Sequence, residues 1–76
     1  MVTSETWVAL VNREDGHCQS CGEENNLMPC HNIPVSRGGS DDLDNLWLGC
    51  FWCHRAQHDG YLRVKRINGK FYFTRK

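Results

Sequence analysis

Long hydrophobic runs are missing from this sequence, and so is a basic or apolar opening: Met1-Val-Thr-Ser-Glu-Thr carries neither. The first absence excludes a helix of membrane-spanning length, and the second gives no sign of a secretory leader. A soluble protein of a reducing compartment, most simply the cytoplasm, is the expectation. No heptad and no long apolar stripe suggests an obligate dimer, so a monomer is expected too. Nothing repeats internally, and no low-complexity linker divides the chain. Acidic side chains stop at Asp59. Residues 60–76 hold six basic side chains and no acid, whereas residues 1–59 hold three basic against nine acidic ones. The zero net charge thus hides a body of −6 and a tail of +6, an asymmetry that points to a polyanion at the basic end. A solvated hairpin with no partner is the plainer alternative.

A large core is also out of reach. A chain of 76 residues makes one small domain, and a domain of that size buries only about 60% of its unfolded surface. A metal or disulfide staple is therefore expected. Five cysteines supply it, and the odd count in a C-x2-C…C-x2-C layout favours zinc over disulfides. Cys18, Cys21, Cys50 and Cys53 offer four thiolates, enough to close a tetrahedral shell with no place left for water. That is the mark of a structural rather than a catalytic ion. Redox chemistry would need only one of the two pairs.

The remaining chemistry lies between residues 30 and 58. His54 and His58 stand four apart on a stretch of helical character, so both rings fall on one face and can share an ion. Cys30 and His31 lie upstream on a short strand at 27–33, where neighbouring side chains point to opposite faces unless the strand is bulged or ended by Pro34. Between them come a Gly38-Gly39 loop and Asn45, the latter in a second short stretch at 43–47. Helical character runs from Phe51 to Gln57 and ends at Asp59-Gly60.

Outside this region two further elements are legible. Thr3 or Ser4 can cap a helix over 4–14, with Glu5 in its first turn and Gly16 fitting the C′ stop; Trp7, Leu10 and Val11 mark its inner face. At the other end, Asn68-Gly69 predicts a type I′ turn in a hairpin over 61–76. Pairing outward from that turn sets Arg66 opposite Phe71, Val64 opposite Phe73 and Leu62 opposite Arg75, a mainly apolar face suited to covering the body. The other face carries Arg63, Lys65, Lys70, Tyr72, Thr74 and Lys76. It is basic with an aromatic, as a phosphate-binding face would be.

Taken in order, Cys18-x2-Cys21, His31-Asn-Ile-Pro34-Val-Ser36-Arg-Gly38-Gly39, Asp44-Asn45-Leu46 and Cys50-x2-Cys53-His54-x3-His58 resemble the HNH endonuclease family. The resemblance covers residues 18–58 and implies a small α+β protein with the ββα-metal (His-Me finger) fold and an added four-cysteine zinc site. The N-terminal helix and the basic hairpin lie outside it. By position, His31 matches the family's general base, which takes a proton from the water attacking the scissile phosphate. Asn45 matches the residue that orients that base through the backbone of the facing stretch. His54 and His58 match the ligands of one divalent cation, Mg²⁺, Mn²⁺ or Zn²⁺. The implied activity is hydrolysis of double-stranded DNA to a 5′-phosphate and a 3′-hydroxyl, one strand per monomer. The small size is similar to that of phage-encoded or free-standing nicking and packaging-associated members.

One residue departs from the pattern. The position before the base is usually an aspartate or histidine that ligates the metal, and here it is Cys30. A thiolate ligand, a bystander and the mark of a weakened nuclease are all open. Arg37, in the Gly-Gly loop, and Arg55, after a ligand on the helix, are the next choices for DNA contact, or else exposed arginines paired with nearby aspartates. The rival function is a zinc-stabilised nucleic-acid-binding module that does not cut.

Overall fold

The computed structural model describes residues 2–76. Helix α1 runs over Ser4–Arg13, strand β1 over Leu27–His31, strand β2 over Leu46–Cys50, helix α2 over Phe51–His58, and strands β3 and β4 over Leu62–Ile67 and Lys70–Arg75. Single 3-10 turns occupy Val35–Arg37 and Leu43–Asn45. The strands make two separate antiparallel pairs, β1 with β2 and β3 with β4.

Thr3 caps α1, its hydroxyl accepting from the Thr6 backbone N–H at 3.2 Å, so one of the helix's orphan donors is satisfied. The helix closes one residue earlier than its sequence suggests. Asp15, at C′, takes the left-handed conformation, and Gly16 follows as C″ with its N–H on the Val11 carbonyl. Both bonds of a Schellman stop are present, the second joining Asp15 N–H to the Asn12 carbonyl.

β1 and β2 set the frame for the rest. Their register pairs Leu27 with Cys50, Cys30 with Trp47 and His31 with Leu46. β1 ends at His31 rather than running on to Ile33. The stretch expected at 43–47 splits into a 3-10 turn and a strand displaced towards Cys50. The turn arises because Asn45 N–H closes onto the Asp42 carbonyl at 2.9 Å. All five residues of β2 are buried, since both of its faces are covered. Leu46 and Leu48 pack with Leu10 of α1, and Trp7 and Val11 lean on the same cluster. Trp47 points the other way, into a second cluster with Cys18, Cys30, Cys50, Cys53 and Leu62. Gly49 is required there, because a Cβ would stand 2.5 Å from the Trp47 ring and 2.8 Å from the Cys30 sulfur.

α2 packs on β1 and β2, which completes a ββα unit, and touches β3 beyond it. The β3–β4 hairpin has the register its turn dictates: Arg66 faces Phe71, Val64 faces Phe73, Leu62 faces Arg75. Asn68 and Gly69 hold φ of 51° and 81°, as a type I′ turn demands. Leu62 is fully buried against the second cluster with Val64, Phe71 and Phe73 beside it, and Phe73 meets Trp47 edge to face at 5.1 Å. Such a contact adds about 0.5–1.5 kcal/mol beyond the area buried. This is a small α+β protein of ββα type, with an N-terminal helix and a C-terminal hairpin attached to its two faces. No helix among the described residues is long and apolar enough to cross a membrane.

Candidate active site

Two groups of potential ligands meet at α2, where Cys53 belongs to one and the adjacent His54 to the other. The sulfur group comes first. Cys18, Cys21, Cys50 and Cys53 bring their Sγ atoms within 4.8 Å of one another, with Cys21 and Cys50 3.6 Å apart. Metal–sulfur bonds of about 2.3 Å in a tetrahedron separate sulfurs by about 3.8 Å, so the four donors fit one ion. The backbone explains the convergence. Gly22, at φ 84°, lets its N–H fold back to the Cys18 carbonyl at 2.9 Å. Gln19 then fastens this knuckle to β2, its N–H on the Leu48 carbonyl and its side-chain oxygen accepting from Leu48 N–H, both at 2.8 Å.

The charge pattern at the sulfurs suits a cation. Burial opposes ionisation of Cys18, but the backbone N–H groups of Cys21, Cys50 and Ser20 outweigh it and hold that thiol at about 7. Burial pushes Cys21 up, to about 12, and Cys53 up as well. One thiolate forms readily and the next does not, a conflict that a divalent ion at the centre removes. Arg75, at the end of the hairpin, approaches from outside with Nη2 3.2 Å from both the Cys53 sulfur and the Ser20 hydroxyl. His17 stands apart, its ring between the Asp15 carbonyl at 2.6 Å and the Glu24 carboxylate at 2.8 Å.

The imidazole group lines an open cleft of about 540 Å³, walled by His31, Pro34, Val35, Arg37, His54, Gln57 and His58. His54 and His58 come from successive turns of α2, His31 from the last residue of β1, and the others from the turn that follows β1 and from α2. Burial, then the proximity of His58 and of His31, lowers the pKa of His54, which keeps its ring neutral and able to ligate. Asn45 straps the loop that supplies Pro34, Val35 and Arg37 to the cleft wall. Its Oδ1 accepts from Ile33 N–H at 2.9 Å, and its Nδ2 donates to the Ile33 and Ser40 carbonyls at 3.0 and 2.8 Å. Both Nδ2 protons and one lone pair of Oδ1 are thus spent on the loop backbone. Gly39 completes the loop, with its N–H on the Pro34 carbonyl and no room for a Cβ against the Ile33 carbonyl.

The model of the HNH endonuclease family matches residues 18–60, which takes in both ligand groups and the loop between them. This chain belongs to the HNH endonuclease family. Over 54 residues it is also 39% identical to Anaredoxin of Nostoc sp. (strain PCC 7120 / SAG 25.82 / UTEX 2576), a match spanning 70% of this chain and 71% of that protein. Membership of the HNH family brings with it a nuclease or nucleic-acid-related function, and HNH nucleases act on DNA.

Some of the expected site residues lie outside the cleft. Cys30 is not brought to the cleft, so of its open readings the thiolate ligand of the second ion is corrected to a bystander. β1 alternates sides, so Cys30 turns inward where His31 turns out, and it is fully buried under Trp47. Burial and then the proximity of Cys18 push its thiol up to about 12, so it is a neutral core side chain. Arg55 stands outside the cleft wall and makes the aspartate pair open to it, with Asp59 at 3.1 Å along the helix, while Arg37 is part of the wall. Arg63, Lys65, Lys70 and Tyr72 are exposed on the hairpin, with Lys65 directly opposite Tyr72. None of them is among the residues lining the cleft.

Three contacts had no sequence signal strong enough to single them out. Asp41 bonds the ring of His31, Nε2 to Oδ1 at 2.7 Å. Gln57 reaches the His31 carbonyl at 3.5 Å, and Arg13 crosses to the Leu43 and Leu46 carbonyls at 3.0 and 2.6 Å. Each joins residues far apart in the chain, where spacing carries no information. His54 and His58 supply two imidazoles on one helix face beside an open cleft, a donor set that fits a divalent cation with its other positions left to water and substrate.

Proposed function

We propose that this protein is a metal-dependent HNH DNA endonuclease that hydrolyses a phosphodiester to a 5′-phosphate and a 3′-hydroxyl, nicking one strand per monomer. The reading rests on one observation, the collection of His31, His54 and His58 around a single cleft. It treats residues 1–76 as one catalytic domain, working in a reducing compartment such as the cytoplasm, where the four sulfurs stay available for zinc.

His31 acts as the general base. Its neutral ring removes one proton from a water molecule, and that oxygen forms the new bond to phosphorus. The phosphorus–O3′ bond breaks with its electron pair passing to the 3′ oxygen, which takes a proton from solvent. His54 and His58 hold the cation, which when bound supplies a Lewis acid for the charge growing on phosphate and leaving oxygen. Asn45 fixes the loop that borders His31. Arg37 bonds a phosphate at the cleft, while Arg63, Lys65, Lys70 and Tyr72 grip the duplex further along, with Arg55 at the margin. Cys18, Cys21, Cys50 and Cys53 hold structural zinc and take no part in the reaction.

Supercoiled plasmid incubated with Mg²⁺, Mn²⁺ or Zn²⁺ tests the reading. Wild type converts it to open circle and His31→Ala does not. Retention of DNA binding with no cutting by any of these metals favours instead the zinc-stabilised binding module, a reading that the burial of Cys30 supports because it leaves the cleft with only two imidazole ligands.

A further inference from the structure

His31 is not a free imidazole. Its Nε2 lies 2.7 Å from Oδ1 of Asp41, ten residues downstream in the loop after Gly38-Gly39, and both side chains are only about one-third exposed, at 28% and 32%. A carboxylate accepts and cannot donate, so the shared proton belongs to the imidazole nitrogen. In a neutral ring, one nitrogen carrying hydrogen leaves the other with the lone pair. The position of Asp41 is itself held. Asn45 Nδ2 grips the carbonyl of Ser40, the residue just before it, and Asp42 N–H returns to the Ser40 hydroxyl at 3.3 Å. A continuous path therefore runs from Asn45 through Ser40 and Asp41 to the ring of His31. Asp41 is not among the residues that wall the cleft, so it meets His31 from outside the space a substrate would enter.

We propose that Asp41 is a positioning residue that fixes His31 as the Nε2–H tautomer, so that Nδ1 is the nitrogen that takes the proton from water. The catalytic half of this inference rests on the nuclease reading; the tautomer half does not. With Nε2 committed to Asp41, the single lone pair that the neutral ring of His31 can offer is the one on Nδ1. The same bond steadies the imidazolium once Nδ1 is protonated, because the carboxylate faces the new charge. It also explains why Asn45 spends its side chain on the loop backbone rather than on the ring: the loop carries the carboxylate that the ring needs.

The test uses the full chain with its structural metal, labelled with nitrogen-15. Long-range proton–nitrogen spectra identify the ring nitrogen that carries hydrogen, and His31 should appear as the Nε2–H form in wild type and as a mixture in Asp41→Ala. In plasmid nicking, Asp41→Ala should lower kcat by about 10- to 100-fold with KM within about twofold, and Asp41→Glu should recover part of the loss. A merely structural role would move neither the tautomer nor the split between kcat and KM. An Nδ1–H ring in a wild type that cuts, or an Asp41→Ala protein with unchanged kcat, overturns the inference alone. A wild type that binds DNA and cuts nothing overturns the nuclease reading, and with it the assignment of Nδ1 as base.

Discussion

The sulfur cluster and the imidazole cleft share a helix and differ in almost everything else. Three of the four sulfurs are buried, at 3% exposure or less, and the knuckle that carries Cys18 and Cys21 is bonded to the central strand. The cleft is open, His54 and His58 are exposed, and its loop is strapped by one amide. Cys53 and His54 are adjacent residues, yet α2 turns one into the core and the other into solvent. The arrangement separates bracing from reactivity. Ions that hold a small fold together are shielded from water, whereas an ion that meets a phosphate must keep open positions. The short step between them means that the brace sets the angle at which His54 and His58 face His31.

The largest break in that comparison comes from removing the sulfurs. Cys50→Ser, or stripping the metal with a strong chelator, should abolish cooperative unfolding altogether. Structural zinc contributes about 10–16 kcal/mol in small domains, which is as large as the whole stability of an ordinary one. Loss of the near-ultraviolet circular dichroism of Trp47 and Phe73 reads this directly. Survival of that signal after chelation would show that the hydrophobic clusters suffice without the metal.

Removing an imidazole should do the opposite. His54→Ala is expected to slow nicking about 1,000-fold or more while leaving the midpoint of thermal unfolding within about 2 °C, because its ring is exposed and only the developing charge on the phosphate loses support. A large fall in melting temperature would place His54 on the structural side of the divide.

Cys30 sharpens the boundary. Cys30→Ser puts a hydroxyl among Trp47 and the sulfurs and should cost about 1–3 kcal/mol in a denaturant melt, with cation affinity at the cleft unchanged. A tenfold drop in that affinity, measured by calorimetry with Mn²⁺, would return the residue to the catalytic shell.

The smallest effect is one of pH. The pKa of His54 is lowered by burial and by the nearby His58 and His31, so its neutral form outlasts that of a free imidazole as acid is added. Cation binding at the cleft is therefore retained slightly below the usual histidine range and lost as pH falls through the lowered value. The same shift makes charging of His54 easier in the unfolded chain, so its contribution to stability declines as pH drops below the unfolded value. Isothermal titration between pH 5 and 7.5 measures the first effect; a midpoint above that of free imidazole would contradict it.

Local chemistry made much of this legible. Asn68-Gly69 sets a turn that admits one register, and every cross-strand pair then follows by counting. The four-residue step from His54 to His58 places both on one helical face, and the doubled C-x2-C supplies four thiolates whatever the fold between them. The pairing of Arg55 is equally local, since Asp59 stands one helical turn on and within reach of its guanidinium.

Tertiary structure decided the rest, because it alone brings distant segments together. Strand alternation says that Cys30 and His31 part company, but only the packing of Trp47 and the hairpin makes the Cys30 side the core. The bond from Asp41 to His31 depends on a ten-residue loop closing, and the approach of Arg75 to Cys53 depends on how a hairpin lands on a helix. Composition and spacing determined which ligands exist and which can share an ion. Burial and loop closure, which are properties of the whole chain, determined which of them face water.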